Sequence, residues 1–308
     1  MTARYFVKRV LYGVVVVFGV ATVVFVATHL LSDPARKMLP LSASHQQYVT
    51  FRHQLGLDRP LLSQFWTFLR DASHLDFGTS ISLDSSAAHA VASRLPHTFE
   101  LVGFGLAIAL LIAIPLGVIS ATRPGSAADS ATVTTSLLGL SLPQFWLGAV
   151  LILFFAVQLH WLPTSGAGTF EQLIMPGLTL ALPIAGRVTQ MVRSTVIDEL
   201  NKQYVTAARA KGLSLRYILV HHVLRNALVP VSSYISLETT KSLAGATVVV
   251  ESVFAYPGVG YLAVQASKAD DLILMQAIAV IVALIVVATN LLFDVFHSVV
   301  DPRIRLAR

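Results

Sequence analysis

The first indication of the fold is residues 10–31, which read VLYGVVVVFGVATVVFVATHLL. An apolar run of about 20 residues crosses the roughly 30 Å hydrocarbon layer of a bilayer, because a helix rises about 1.5 Å per residue. A basic N-terminal segment, from Arg4 to Arg9, precedes this run. The run is too long for the core of a signal peptide and lacks a convincing small-x-small cleavage site, so we expect an uncleaved first transmembrane helix.

The composition of the whole chain is typical of a membrane protein. Of its 308 residues, 55% are hydrophobic and only 12% are charged, whereas soluble domains contain about 25% charged residues. The mean hydropathy is +0.71. The chain has no cysteine, which excludes disulfides, thiolate metal sites and cysteine nucleophiles. Its net charge of +6 would suit nucleic acid, but the basic residues lie mainly at the ends of apolar runs. This placement indicates a lipid bilayer and no nucleic acid as partner.

Further apolar segments predict five more membrane-spanning helices, at about 98–121, 131–157, 173–195, 229–252 and 273–297. The predicted fold is therefore an all-α membrane protein with six transmembrane helices. Residues 32–96 are polar and contain turn signals such as Asp33-Pro34 and Asp76-Phe77-Gly78, so we expect a small extracytoplasmic domain between helices 1 and 2. The predicted domains are 1–31 (cytoplasmic N-terminus and helix 1), 32–96 (outer domain), 97–297 (core of helices 2–6) and 298–308 (C-terminal tail).

The distribution of basic residues orients these spans, because cytoplasmic loops of membrane proteins carry an excess of Lys and Arg. The short outer loops near 158–172 and 253–272 hold only Lys268. The long 32–96 segment has six basic residues against five aspartates, and long translocated segments escape the rule. The segments assigned to the cytoplasm contain Arg4, Lys8, Arg9, Arg123, Arg193, Lys202, Arg209, Lys211, Arg216, Arg225, Arg303, Arg305 and Arg308. Both termini are therefore predicted to be cytoplasmic.

The loop between spans four and five, residues 199–228, carries the most informative motif. Residues 204–213, YVTAARAKGL, are rich in helix formers and stop at Gly212, which can take the positive φ of a helix end. A helical pattern resumes from Leu215 to Leu228, and Pro230 is expected to open the next span. Two short helices meeting at Gly212 would form an elbow that projects into the cytoplasm, and its alanines would let another surface approach closely. An amphipathic connector held to lipid headgroups by its charges is an equal alternative at this point.

This loop resembles the EAA loop of the membrane subunits of ABC importers, through Ala207-Ala208, Gly212 and His222-Val223-Leu224. The resemblance implies that the loop is the coupling element, seated in a groove on an ATP-binding subunit. Thr206 occupies the acidic position of that loop, so docking through an acidic side chain is not implied. Arg225 stands where many members have proline. The implied coupling residues are Thr206, Ala207, Ala208, Arg209, Lys211, Gly212, Leu213, His222 and Leu224.

Motifs along nearly the whole chain are similar to the first permease subunit of dipeptide and oligopeptide importers. They are Asp33-Pro34-Ala35, Gly56-Leu57-Asp58-Arg59-Pro60, Phe77-Gly78-Thr79-Ser80, Pro96–Leu101, Pro143–Gly148, Leu162–Gly166, Glu251–Phe254, Pro257–Gly260 and Asp301–Arg305. The resemblance implies a peptide permease of the bacterial plasma membrane. Its implied partners are a second, similar permease chain, two ATP-binding subunits and an extracytoplasmic substrate-binding protein. The family also includes importers of nickel and of haem, so the substrate stays open among these.

Ionisable residues within spans are candidates for the translocation pathway, because a charge is costly in lipid and must face protein or water. Glu238 and Lys241 lie three residues apart on span five and hence on one helical face. They either line the pathway or neutralise each other between helices, and the sequence leaves both open. Glu251 either contacts substrate or pairs with a backbone amide or an arginine. Pro257-Gly258 is either a plain turn or part of an outer gate.

Other charged residues carry weaker expectations. Arg187 is expected to snorkel toward the cytoplasmic face. Asp270-Asp271 replaces the Arg-Asp-aromatic-Pro pattern of the family before span six, so the contacts of that loop are not implied. His221 and His222 adjoin in a helix and point to different faces, which makes a shared metal site improbable.

No catalytic residue, metal site or cofactor is predicted in this chain. It has no Gly-x4-Gly-Lys-Ser/Thr motif to cradle nucleotide phosphates, no His-Glu-x-x-His, and no nucleophile elbow. Energy for uphill transport would come from partners that bind and hydrolyse ATP. A self-sufficient secondary transporter or channel is the alternative, but it should show an internal repeat, which the sequence does not. An intramembrane enzyme would need a nucleophile and base, which are also missing.

Overall fold

The computed structural model describes residues 3–31, 44–54 and 58–300. The predicted turns at Asp33-Pro34 and Gly56-Leu57 and the segment from Asp301 lie outside the described residues. The described chain is almost entirely helical. Its helices are α1 (Ala3–Leu31), α2 (His45–Gln54), α3 (Leu61–Ser73), α4 (Ala87–Thr122), α5 (Ala127–Ser141), α6 (Gln144–Leu151), α7 (Phe170–Leu200), α8 (Gln203–Ala210), α9 (Leu215–Ile218), α10 (Leu224–Lys241), α11 (Thr247–Val253), α12 (Val259–Lys268) and α13 (Leu272–Val300). Three π-helical segments, Ile152–Gln158, Leu219–Val223 and Ser242–Ala246, extend or join these helices. Two short strands are β1 (Thr79–Ser80) and β2 (Ser85–Ser86).

The chain forms two compact units. The first comprises His97–Pro257 and the end of α13 from Thr289 onward, and the second comprises Ala3–Pro96 and Gly258–Ala288. The core of the first unit is built around α7, whose residues Leu180, Ile184 and Val196 are fully or almost fully buried. The core of the second unit joins the start of α4 to α12 and α13.

Several helices have the length and composition of membrane spans. Within the described parts of the chain, three qualify outright, namely Phe6–His29, Ala87–Thr122 and Leu272–Ser298. A fourth candidate is the bent pair of Ala127–Ser141 and Gln144–Gln158, which meet at 98°. On α1 the apolar side chains of Leu11, Val15 and Val23 are more than half exposed, as expected for a surface that faces lipid tails.

Helix α7 is the central helix of the first unit and packs against α5 and α10. It is 31 residues long, about 46 Å at the rise of an α-helix. Small residues permit close packing, as is common between membrane helices. At Gly186, a Cβ atom would lie 2.7 Å from the carbonyl oxygen of Ser136 on α5, so no larger residue fits without moving a helix.

Two predicted helix boundaries differ from the structure. Pro230 does not open a helix but lies inside α10, which continues from α9 through the π-helical segment Leu219–Val223. Membrane helices tolerate an interior proline where neighbouring groups compensate the missing N–H. Similarly, α4 begins at Ala87 rather than near residue 98, since the preceding polar residues continue the helix beyond the apolar part. Farther along, the join between α10 and α11 is kinked at Gly245, which has a φ of 149°.

Candidate functional site

The elbow has the geometry that its sequence predicts. Helix α8 ends in a Schellman motif, in which Gly212 N donates to Arg209 O at 2.9 Å and Leu213 N donates to Ala208 O at 3.2 Å. Gly212 takes a φ of +80°, the left-handed conformation that glycine adopts without a Cβ penalty. Ser214 then caps α9 by accepting a hydrogen bond from Tyr217 N at 3.4 Å. The predicted helix end at Gly212, with a short helix on either side of it, is therefore confirmed.

The elbow has a buried side and an exposed side. Val205, Ala208, Ile218 and Val223 are buried in the core of the first unit and anchor the two short helices. Of the predicted coupling residues, Ala208 thus serves as an anchor and Leu224 is half-buried. The exposed ones are Thr206, Ala207, Arg209, Lys211, Gly212, Leu213 and His222. The exposed surface carries two basic side chains and, at Thr206, a hydroxyl. A protein that binds there must be complementary in shape and carry negative charge.

A buried carboxylate ties the elbow to the central helix. Glu199, near the end of α7, accepts hydrogen bonds from Lys202 Nζ at 2.5 Å and from Tyr204 Oη at 2.7 Å. Burial raises the pKa of Glu199, but the hydrogen bonds from Lys202 and Tyr204 outweigh it, so the pKa lies below its usual value. Glu199 is therefore an anion at neutral pH, and it fixes the first residues of α8 to the end of α7. No sequence motif indicates a role for this residue.

A cluster of three ionisable side chains lies between α7 and α10. Arg187 donates hydrogen bonds to both carboxylate oxygens of Glu238, from Nε to Oε1 at 3.0 Å and from Nη2 to Oε2 at 2.7 Å. Lys241 Nζ lies 3.4 Å from Glu238 Oε1. The Glu238 side chain is only 1% exposed, whereas those of Arg187 and Lys241 are 35% and 53% exposed. The expectation that Arg187 snorkels to the cytoplasmic face is wrong, because the guanidinium has a buried carboxylate within reach.

The other predicted pathway and gate residues are Glu251, Pro257 and Gly258, which lie in and just after α11. Glu251 has no exposed surface and accepts a hydrogen bond from Thr98 Oγ1 at 2.9 Å, joining α11 to α4. Its contact with substrate stays a prediction. In the turn that follows, Tyr256 Oη donates to Glu100 Oε2 at 3.0 Å. Burial, reinforced by Glu100, raises the pKa of Tyr256, which keeps the hydroxyl protonated as a donor. Pro257 is half-buried and Gly258 is the residue that caps the start of α12. This arrangement fits the plain-turn alternative. A role of the two residues in an outer gate stays a prediction.

Comparison with known proteins decides the family. Residues 113–306 match the model of the binding-protein-dependent transport system inner membrane component. Residues 2–102 match the N-terminal membrane component of the same systems. The chain belongs to this family. Its members are permease subunits of ABC importers, so the recognition made from sequence motifs is confirmed.

Curated relatives match the permease over almost its full length. The glutathione transport system permease protein GsiC of Escherichia coli K12 is 36% identical over 303 residues, covering 98% of this chain and 99% of the relative. The oligopeptide transport system permease protein AppB of Bacillus subtilis is 36% identical over 314 residues, with the same coverage. Among solved structures, the inward-facing MetNI methionine ABC transporter covers 68% of this chain and 96% of its own, with a TM-score of 0.56 and 18% identity. That structural likeness supports the fold alone.

A further ion pair on a buried carboxylate, between Asp129 and Arg193, was not expected from sequence. Asp129, at the start of α5, accepts hydrogen bonds from Arg193 Nε at 2.6 Å and Nη2 at 2.9 Å. Ser120 Oγ and Gly125 N also donate to this carboxylate. The pair holds the turn between α4 and α5 against α7. Arg193 was noticed only as a cytoplasmic charge, and its partner is 64 residues away in sequence, so no local pattern indicates the contact.

Asp271 has a local, structural role in the second unit. Its carboxylate is fully buried and accepts hydrogen bonds from Ser80 Oγ at 2.6 Å, from Ser82 N at 2.9 Å and Oγ at 2.8 Å, and from Leu274 N at 3.0 Å. It thus caps α13 and holds the loop of the β1–β2 hairpin. Over the described residues, no group of three His, Asp or Glu side chains is close enough to hold a metal ion. His221 instead stacks on Tyr217, with ring centroids 4.2 Å apart.

Proposed function

We propose that this permease carries short peptides across the bacterial inner membrane, as one of two similar permease chains driven by two ATP-binding subunits and supplied by an external binding protein. Support for the substrate class comes from the relatives, one named for glutathione, itself a tripeptide, and one for oligopeptides. Nickel and haem, which other members of the family carry, are the alternatives that an uptake assay must include. In this proposal the chain catalyses no reaction, and the two ATP-binding subunits would bind ATP.

The proposed topology has six spans with both termini in the cytoplasm. Beyond the four apolar candidates, α7 and the kinked α10–α11 segment would supply the other two spans. Each is about 30 residues long, enough to cross the membrane. Both contain ionisable residues, which explains why hydropathy alone does not select them. Arg187 on α7 pairs with Glu238 on α10, which lowers the energetic cost of placing both side chains within the membrane.

The observation that carries the mechanism is the rigid, exposed elbow at the end of α7. Its exposed face would seat in a groove of an ATP-binding subunit. Because Glu199 fixes α8 to α7 and the buried side of the elbow is packed, movement of that subunit would be transmitted to α7 as a rigid body. Tilting of the central helices would then open the pathway to one side of the membrane and afterwards to the other.

The first experiment tests the elbow by co-purification in detergent. Gly212→Pro forces φ to about −65° where the chain needs +80°, so the permease should lose its ATP-binding subunits while keeping the second permease chain. The matched control is Gly168→Pro, which places the same residue at another left-handed glycine (φ +117°), beyond the opposite end of α7. The control should retain the ATP-binding subunits. Retention of those subunits by the Gly212 variant would refute the coupling role of the elbow.

A further inference from the structure

We infer that Arg187 and Lys241 form a cationic site that binds a carboxylate of the substrate on its way through the permease. The inference rests on the proposed function and adds a chemical class to it, because it selects substrates that carry a free carboxylate. It also assigns different roles to the two residues that the sequence placed together. Glu238 positions the cations, and the cations make the contact.

The charge balance of the cluster is the first argument. Two basic side chains share one carboxylate among the described residues, so the cluster has a formal charge of +1 by residue type. Both oxygens of Glu238 are engaged by Arg187, and the side chain is buried beneath the cations. Lys241 makes a long contact of 3.4 Å with the same carboxylate. An ammonium group has three donors, so Lys241 keeps donors available for an anion.

The depth of the cluster is the second argument. Lys241 follows residue 229, where span five is predicted to begin, by 12 residues, about 18 Å along a helix and so close to half of a roughly 30 Å hydrocarbon layer. Arg187 lies close to the middle of α7. In the proposed topology both cations are therefore near the centre of the bilayer, far from either headgroup region. An ammonium group that is half exposed at this depth is costly in lipid, and must face water or protein.

The surroundings of Lys241 favour a water-filled pathway over lipid. The neighbouring Thr240 donates from Oγ1 to Asn290 Oδ1 on α13, at 2.8 Å, and this pair is exposed. Ser233, two turns earlier on α10, is exposed as well. These polar groups share the face with Leu237, whose side chain is 46% exposed, so the face around Lys241 suits a peptide, which has both a polar backbone and apolar side chains.

The test uses the complete importer in proteoliposomes, with its binding protein and ATP, and trialanine and trialanine amide as probes. Lys241→Gln removes the charge, Lys241→Arg keeps it, and Lys268→Gln is a matched control at an exposed lysine of α12. We expect Lys241→Gln to lower ATP-dependent uptake of trialanine by about tenfold, the loss of one charge-assisted hydrogen bond. Lys241→Arg and Lys268→Gln should stay within about twofold of wild type. The preference of the wild type for trialanine over its amide should shrink in Lys241→Gln.

The outcomes separate this site from a structural role and from the binding protein. A preference that arises in the binding protein would persist unchanged in Lys241→Gln, and that result overturns the inference. So does unaltered uptake in Lys241→Gln, or an equal loss in Lys241→Arg. Loss of the second permease chain from purified Lys241→Gln would show that Lys241 pairs with an acidic residue of that chain, and would likewise overturn it.

Failure of the proposed function has a different signature. If the wild-type complex shows no ATP-dependent uptake of either peptide, the peptide assignment fails, and this inference fails with it. If the wild type takes up trialanine and only the Lys241 variants behave otherwise than expected, the peptide assignment stands and the cationic site alone is refuted.

Discussion

Single buried carboxylates hold the helices of this permease together. Asp129, Glu238, Glu251 and Asp271 are almost or completely buried, and each accepts hydrogen bonds from a residue distant in sequence. A buried charge without such partners would be strongly unfavourable. These residues therefore fix which helices pack together, and replacing one should loosen a specific contact rather than the whole chain.

Asp271 allows this to be tested at one hairpin. Asp271→Asn removes a charge that accepts four hydrogen bonds, so amide hydrogen exchange over residues 79–86 should quicken by about tenfold at pH 7. Asp84→Asn in the same loop is the control, since Asp84 is exposed and has a positive φ of 48°, which asparagine tolerates. Equal exchange in the two variants would contradict the role of Asp271.

The pH dependence of the same contact follows from the pKa of Asp271. Burial raises this pKa, but the hydrogen bonds from Ser80, Ser82 and Leu274 outweigh it and hold the pKa below its usual value. A lowered pKa contributes stability above the unfolded value of about 3.9, and the contribution is lost as the pH falls through the folded pKa. Hairpin protection, corrected for intrinsic exchange, should therefore be the same at pH 7 and at pH 5 in the wild type.

At the level of elements, the sequence predicts what local signals encode. Gly212, with helix formers before it and a helical pattern from Leu215 onward, predicts the elbow within a short segment, and the structure has that elbow. The apolar runs likewise predict α1, α4 and α13. Side-chain contacts between helices that are distant in sequence leave no local sequence pattern. Arg187 and Glu238 are 51 residues apart, and a long arginine side chain can reach a headgroup as readily as a carboxylate, so its direction depends on how α7 and α10 pack. The family resemblance does not supply this either, because the cluster is not part of a motif.

For the whole molecule, the proposed six-span topology predicts that residues 199–228 and residues 253–272 are exposed on opposite sides of the membrane. The chain has no cysteine, so a single introduced thiol reports its own position without background. Lys268→Cys should react with a membrane-impermeant maleimide applied to intact spheroplasts. Lys211→Cys, on the exposed elbow, should react only after the membrane is permeabilised. Both residues are exposed, so reactivity from the same side in both variants would refute the proposed crossing of α10–α11.

The excess of basic side chains beside Glu238 has a consequence for the ion gradients across the membrane. A passage wide enough for a peptide is also wide enough for protons and sodium ions, which would dissipate the gradients that the membrane maintains. At the proposed mid-depth site, a fixed cation in a pathway with low-dielectric walls would raise the electrostatic energy of any inorganic cation there and so oppose leakage. Lys241→Gln proteoliposomes should accordingly lose an imposed pH gradient faster during ATP hydrolysis than Lys241→Arg proteoliposomes, as a pH-sensitive dye would record. Equal decay in the two would show that the barrier to protons lies elsewhere. The same lysine would thus bind the carboxylate of a substrate and reduce the leakage of protons and sodium ions through the pathway.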